Sequence, residues 1–437
     1  MKIAFHTLGC KVNQYETQIL KEKFSNKGYE LSDEGEIADI YVINTCTVTA
    51  LSNKKSKQFI RKALRENENA VIAVIGCFAQ VNPEELMSID GVSIVCGTNE
   101  KNNLVEYVET FLKDRMRISK IKNYDELTNY EETGIIHEMD SRTRAFIKIQ
   151  EGCNCFCSYC IIPFARGPVR SRNIKEILIE AKTLVASGFK EIVLTGINTA
   201  LYGFETGELK LAELISEINC IQGDFRIRIG SLEPNVMGLP QMASLLKYEK
   251  LCHHMHLSLQ SGSDRILEKM NRNYDSNQFR LLVKSLRDFD SNYSITTDVI
   301  VGFPGESEED FLKSLKMVKE IEFGKVHVFK YSKREKTVAN NMEDQISNTI
   351  KTQRSNALIQ IANTSRDEFL KKNIGSETIV LIEEVDMFKN QIIGYSDNYI
   401  RVYVDCNNII KADLMNHFIK VSLTGLYLEG MMGIRIN

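Results

Sequence analysis

Short apolar, β-rich runs alternate with longer polar stretches of helical spacing along most of the chain. Residues 2–7, 39–44, 70–75 and 92–95 read as strands, with helices predicted at 14–27, 51–65, 83–87 and 102–112 between them. This alternation predicts an open parallel α/β sheet with crossover helices over residues 1–112. A charged, weakly periodic stretch, 113–142, reads as a linker. The alternation then resumes on a larger scale. Strands are predicted at 145–150, 191–195, 226–229, 254–259, 294–301 and 325–331, each followed by helical spacing. Six strand–helix units predict a partial, TIM-like (β/α)6 barrel. A helix at 344–372, with Ile346, Ile350, Leu358, Ile361 and Phe369 as its apolar stripe, bridges onward and completes a unit spanning 143–373. The tail, 374–437, changes to β-branched runs punctuated by Gly394, Gly425, Gly430 and Gly433, the texture of a small antiparallel barrel of about five strands.

Three units suit a chain of 437 residues, given roughly 150 residues per domain. No apolar run approaches the roughly 18 residues of a membrane span, and the opening has no signal-peptide character, so the chain is expected in the cytoplasm. The 55 Lys+Arg nearly balance 58 Asp+Glu, so no global positive field advertises a nucleic acid and any RNA contact must use local patches. The tail is itself acidic, with five Lys+Arg against eight Asp+Glu. Eleven cysteines in a reducing compartment point to metal ligands or redox groups instead of disulfides.

The sharpest signal is EGCNCFCSYC, where Cys153, Cys157 and Cys160 form CxxxCxxC just after a predicted strand at the head of the barrel. Three thiolates on one tight loop suit a four-iron four-sulfur cluster with one iron left free of protein ligands. That iron can chelate a small molecule through an amine and a carboxylate. A structural zinc site would draw on paired ligand spacing, and no second pair follows. A second set is dispersed: Cys10 in TLGCKVNQYE, Cys46 in NTCTV and Cys77 in IGCFAQ each closely follow a predicted parallel strand. Carboxyl ends of strands in an open sheet form one rim, so these thiols should converge. Cys96 also follows a strand and competes for a ligand position.

The CxxxCxxC loop, with aromatic Tyr159 before its last cysteine, resembles the radical S-adenosylmethionine superfamily, whose reduced cluster cleaves the sulfonium to a deoxyadenosyl radical. With the three-cysteine domain ahead of it and CSYCIIPFARGPVRSR, LTGINTALYG, RIRIGSLEP, HLSLQSGSDRILEKMNRNY, TDVIVGFPGES and HVFKYSKR behind, the whole chain resembles the methylthiotransferase family. The resemblance implies two 4Fe-4S clusters, on Cys10/Cys46/Cys77 and Cys153/Cys157/Cys160, and a C-terminal RNA-binding TRAM barrel of OB-like type. It implies an S-adenosylmethionine site drawing on Tyr159, Thr195, Gly196, Asn198, Glu233, Gln260, Val301 and Gly302. It further implies a tRNA substrate with a modified adenosine in the anticodon loop, and an electron donor such as flavodoxin or ferredoxin. The TLGCKVN opening resembles the branch that methylthiolates carbon 2 of threonylcarbamoyladenosine, against branches acting on isopentenyladenosine or on a ribosomal-protein aspartate. For that substrate, Lys11 and Arg166 are candidate partners of the threonyl carboxylate. Arg166, Arg170 and Arg172 are candidate grips on RNA phosphate, and Tyr395, Tyr399 and Arg401 are candidate RNA contacts of the tail. A rival of another class is a non-catalytic iron–sulfur or zinc RNA-binding protein.

Overall fold

A computed structural model of the chain describes residues 1–33, 35–137, 143–236, 238–406 and 414–436. The first unit is a six-stranded parallel sheet in the spatial order Glu30–Leu31, Lys2–Thr7, Ile40–Thr45, Val71–Gly76, Val92–Cys96, Ile118–Lys120. Helices cover both faces, and the three central strands, Ile40–Thr45, Val71–Gly76 and Val92–Cys96, are buried along their whole length, as a doubly wound sheet requires. The order reverses direction between Lys2–Thr7 and Ile40–Thr45, which makes the crevice beyond their carboxyl ends the topological switch point.

The segment expected as a linker is more than a linker. Ile118–Lys120 is the outer strand of the first sheet, and Leu127, Thr133 and Ile136 are buried against the body of the protein. The last residues of that segment, 138–142, lie outside the described residues.

The central unit is a curved run of parallel strands. Arg144–Lys148, Glu191–Thr195 and Arg226–Ile229 form one part; Ser231–Leu232, His254–Leu257, Ser294–Val301 and Lys325–Lys330 form the other. Gly230 is the break between the two parts. Alternate residues divide sharply. Ala145, Ile147, Ile192, Leu194, Ile227 and Ile229 join the apolar layer beneath the outer helices. Arg144, Phe146, Glu191, Arg228, His254, His256, Thr296 and His327 take the opposite parity and face a polar lumen. Tyr15 and Ile19, on the helix Lys11–Asn26 of the first unit, belong to the barrel's own apolar cluster. The two units therefore share a core.

The tail is a closed five-stranded barrel, Glu377–Asp386, Gln391–Ser396, Arg401–Asp405, Gly430–Arg435 and Phe418–Tyr427 in spatial order. It is joined through the helix Asn348–Lys372 and packs across the amino ends of the central strands. Asn398 Nδ2 donates to the Asn292 carbonyl at 3.1 Å, Asn416 Nδ2 to that of Gly188 at 2.9 Å, and Arg226 to that of Tyr395 at 3.1 Å.

Candidate active site

The three dispersed cysteines stand where strand-end logic puts them. Cys10 caps the helix Lys11–Asn26 after the strand Lys2–Thr7, Cys46 follows Ile40–Thr45, and Cys77 opens the short helix Cys77–Val81 after Val71–Gly76. The GCKVN sequence has a local reason. Gly9 has φ +115°, and a Cβ there would stand 2.9 Å from both the Asn13 amide and the Cys46 Cβ. Asn13 Nδ2 donates to the Leu8 carbonyl at 2.7 Å and to that of Thr45 at 3.1 Å, which fixes the loops of Cys10 and Cys46 to each other. Cys96 points away: it is fully buried in the apolar cluster of Ile3, Leu20, Phe24 and Ile94, and is core.

Arg166, six residues beyond Cys160, reaches the dispersed set. Its Nε donates to Cys77 Sγ at 3.1 Å, Nη1 to Glu16 at 2.5 Å and Glu151 at 2.6 Å, and Nη2 to Asn13 Oδ1 at 2.5 Å and Glu16 at 3.2 Å. Glu16 and Glu151 also hold Lys148, and Glu16 holds Lys101, all buried. Burial alone would raise the Glu16 carboxyl; Arg166, Lys101 and Lys148 outweigh it and hold it well below the usual carboxylate range. Burial pushes the Cys77 thiol up to about 11, with Arg166 opposing.

The radical-type loop is held differently. Gly152, at φ +76°, has no room for a side chain, since a Cβ would stand 1.8 Å from the Pro168 carbonyl oxygen. The Ser158 N–H donates to the Met270 carbonyl, and the Ser158 hydroxyl to that of Lys269. Arg272 Nη1 donates to Cys157 Sγ at 3.3 Å and to the Tyr159 hydroxyl at 3.4 Å, while Nη2 pairs with Glu233 at 2.7 Å and bonds the Ser258 carbonyl at 3.0 Å. Glu233 is raised by its burial in spite of Arg272.

The cofactor-site candidates gather at the carboxyl ends of the barrel strands. Thr195 ends its strand; Gln150 Oε1 accepts the N–H groups of Ile197 and Asn198, both at 3.0 Å, and so shapes the Gly196 turn. Asn198 is buried and its Oδ1 has no partner. Gln260 is held at φ +64° and pairs with Val299. Val301 ends the strand before Gly302, whose N–H donates to Glu306 at 2.7 Å.

The contacts expected of Arg166, Arg170, Arg172, Tyr395 and Tyr399 need correction. Arg166, Arg170 and Arg172 are fully buried and engaged. Arg170 bonds Asn99 and the carbonyls of Leu127 and Arg166; Arg172 pairs with Glu180 and Glu132. None of the three offers a group to RNA, and Arg166 offers none to a substrate carboxylate. Burial against carboxylates of other elements takes all three out of reach of RNA phosphate. Tyr395 and Tyr399 stack on each other, ring centres 4.9 Å apart, with Arg144 over both rings and Arg228 over Tyr399. They close the base of the lumen instead of facing outward. Arg401 pairs with Glu384 and Glu429.

A cavity of about 600 Å³ runs from the Cys10 loop through the central unit to the tail. Its lining runs from Cys10 and Lys11 and the Thr195–Gly196 turn, past His256, Thr296 and Asp298, to Tyr395 and Tyr399. Lys11 is exposed by area yet surrounded by protein, because the surface it exposes is that of the cavity.

Among the described residues, no group of three or more His, Cys, Asp or Glu side chains closes on a metal-ion position. Fit to an iron–sulfur group therefore rests on the donors. Each cysteine set supplies thiols, the softest ligands available, and each receives one arginine N–H at sulfur. Such bonds stabilise cluster thiolates and tune their potential. The residues fit.

Residues 2–97 match the model described as "Uncharacterized protein family UPF0004", and residues 147–318 match that of the radical SAM superfamily. The chain is 42% identical over 406 residues to the threonylcarbamoyladenosine tRNA methylthiotransferase MtaB of Bacillus subtilis, covering 92% of this chain and 89% of that one. The chain belongs to the radical S-adenosylmethionine methylthiotransferases, MtaB type. The MtaB of Thermotoga maritima is 35% identical over 434 residues, 99% of this chain and 96% of that protein. The tRNA-2-methylthio-N(6)-dimethylallyladenosine synthase of Clostridium tetani is 36% identical, covering 90% and 87%. The radical S-adenosylmethionine methyltransferase TsrM of Kitasatospora setae shares the fold, with TM-score 0.58 and 14% identity over 78% of this chain and 77% of that one. Membership in this methylthiotransferase family brings four-iron four-sulfur clusters and S-adenosylmethionine as cofactors and tRNA as substrate.

Proposed function

We propose that the enzyme places a methylthio group on carbon 2 of N6-threonylcarbamoyladenosine beside the tRNA anticodon. Cys10, Cys46 and Cys77 would hold one cluster, Cys153, Cys157 and Cys160 the other. When bound, these clusters and S-adenosylmethionine supply the radical chemistry that an aromatic C–H, neither acidic nor readily attacked, requires. The protein's part is placement. Tyr159 stands in the CxxxCxxC loop, and the Thr195–Gly196 turn, Asn198, Glu233, Gln260 and Val301–Gly302, at the carboxyl ends of barrel strands, would hold S-adenosylmethionine; of these the Thr195–Gly196 turn lines the cavity. Asn198 Oδ1 is a ready acceptor for the cofactor amine. The target base must leave its stack to enter, as single-stranded loop bases can. We assign a cytoplasmic setting, and flavodoxin or ferredoxin as reductant, on the same reading.

The observation that carries the substrate assignment is Lys11 in the cavity. Its ammonium rests over the Phe146 ring, 5.5 Å from the ring centre, one residue from Cys10. Burial pushes its pKa down, with Arg228 and Arg144 adding to the effect, so a carboxylate entering beside it would relieve an unfavourable charge. The threonylcarbamoyl group carries such a carboxylate and the isopentenyl group carries none. Of the relatives compared, those named for threonylcarbamoyladenosine include the one of highest identity, which supports the same choice.

The test gives purified, reconstituted enzyme two tRNAs, one with each modification, and quantifies methylthiolated nucleosides by mass spectrometry. Product is expected on the threonylcarbamoyl tRNA. Lys11→Gln should lower kcat/KM on it on the order of a hundredfold. Preference for the isopentenyl tRNA, or product only on a ribosomal protein, would overturn the assignment.

A further inference from the structure

A guanidinium has five N–H donors in a fixed fork, and Arg166 places all five: one on Cys77 Sγ, one on Asn13 Oδ1, and three on the carboxylates of Glu16 and Glu151. Through Asn13 the same fork reaches the Leu8 and Thr45 carbonyls that lead into Cys10 and Cys46. One side chain is therefore tied to all three cysteine loops of the first unit. It comes from the helix Ile162–Arg166, which starts two residues after Cys160, and Ile161 and Ala165 pack directly on Cys77 and Val81. The strut joining the two cysteine sets is thus a single rigid piece.

The charges around it do not balance. Arg166, Lys101, Lys148 and Arg170 are four buried cations, and the carboxylates paired with them are two, Glu16 and Glu151. Glu131 adds a third carboxylate near Lys148 and Lys101, so the cations exceed the carboxylates by one. Buried charge without a partner is strongly disfavoured. The face of the network with no carboxylate is the one Arg166 presents to Cys77. Thiolates of a cluster held there, with the cluster's own negative charge, would meet the remaining cationic excess. The radical-type loop differs: Arg272 faces one carboxylate, Glu233, in a one-to-one pair.

We propose that Arg166 is a positioning residue of the Cys10/Cys46/Cys77 centre, holding its three loops in register and, with the cationic surplus behind it, setting the centre's reduction potential. This rests on the reading of those cysteines as cluster ligands. Adding an electron to the centre adds negative charge, so each nearby cation raises the potential and each nearby carboxylate lowers it.

The test uses the full chain carrying Cys153→Ala, Cys157→Ala and Cys160→Ala, so that only the first centre can load. Iron and sulfide are counted after anaerobic reconstitution, and the midpoint potential is read by EPR-monitored titration. About four irons are expected per chain. Arg166→Gln should lower the potential, Arg166→Lys should fall between it and the parent, and Glu16→Gln should raise the potential. Should Arg166→Gln not fold, Arg166→Lys and Glu16→Gln carry the same opposed signs. A merely structural brace would cost iron retention in all three without opposed shifts, and that outcome, or unchanged potentials, overturns the proposal. Absence of iron in the parent would instead overturn the cluster reading beneath it.

Discussion

The two cysteine centres solve one problem by opposite routes. The loop centre packs its three thiols into eight consecutive residues and takes one arginine–glutamate pair from two other loops of the barrel. The rim centre spreads its thiols over 68 residues, from Cys10 to Cys77, and is assembled by three parallel strands, one asparagine and a buried network of four cations and two carboxylates. A contiguous loop carries its geometry in its own backbone, so a few outside contacts suffice. A dispersed set has no such backbone, and long-range polar groups must hold it. Contiguity trades against electrostatic scaffolding.

The largest effects should come from the thiols themselves. Cys157→Ala should abolish S-adenosylmethionine cleavage. Cys77→Ala should keep uncoupled cleavage to deoxyadenosine while making no methylthio product, each variant falling from about eight irons to about four. Chromatographic assay of deoxyadenosine beside modified nucleosides separates the two; full product from Cys77→Ala would erase the distinction between the centres.

The scaffolds should differ next, and by sign. Glu16 is held below the ordinary carboxylate range, and removing one partner of a buried pair typically costs about 3–5 kcal/mol. Glu16→Gln should therefore destabilise the protein by that order at pH 7 in urea unfolding. A depressed carboxyl contributes stability above its unfolded pKa, near 4.3, and loses it as pH falls toward the folded value. The gap from the parent should accordingly narrow below about pH 4. Glu233 is raised by burial, so its ionised form is a cost at pH 7 that protonation relieves as pH falls. Glu233→Gln leaves one buried cation, Arg272, without its carboxylate, whereas Glu16→Gln removes a carboxylate from Arg166, Lys101 and Lys148 together, so Glu233→Gln should be the milder at pH 7, and equal losses would refute the contrast.

The smallest effect is expected at Cys96. Packed in an apolar cluster, Cys96→Ala should leave methylthiolation near normal and cost about 1 kcal/mol of stability through lost packing. A loss of iron there would enlarge the rim centre to four thiols.

Much of this was legible in the sequence. Strand positions such as Glu191–Thr195 and Ser294–Val301, the five-stranded tail and the strand-end placement of all six cysteines follow from apolar runs and turn residues. The scaffolds were not. Arg166 meets its first-unit partners 89 to 153 positions away, and Arg272 meets Cys157 across 115; no local period encodes such pairs. An arginine-rich run reads as solvated because buried arginines are rare. One local signal did exist. Asn13 and Glu16 lie three apart on the same helix face as Val12, Tyr15, Ile19 and Leu20, and polar residues inside an apolar stripe mark a buried polar contact. The tyrosines of the tail misled for a related reason: aromatic and basic residues on a small barrel look alike whether they stack on bases or on arginines of another unit.

The stacked tyrosines at the base of the lumen bear on how the chain is made. The tail emerges from the ribosome after the barrel it closes, so until Gln391–Ser396 and Tyr399 arrive, Arg144 and Arg228 have no rings to lie under and the lumen has no floor. A nascent or clipped chain lacking them carries all six candidate ligand cysteines but an unfinished chamber. Completion of the last unit thus acts as a checkpoint on the first two, and proteolytic sensitivity should drop sharply once it folds.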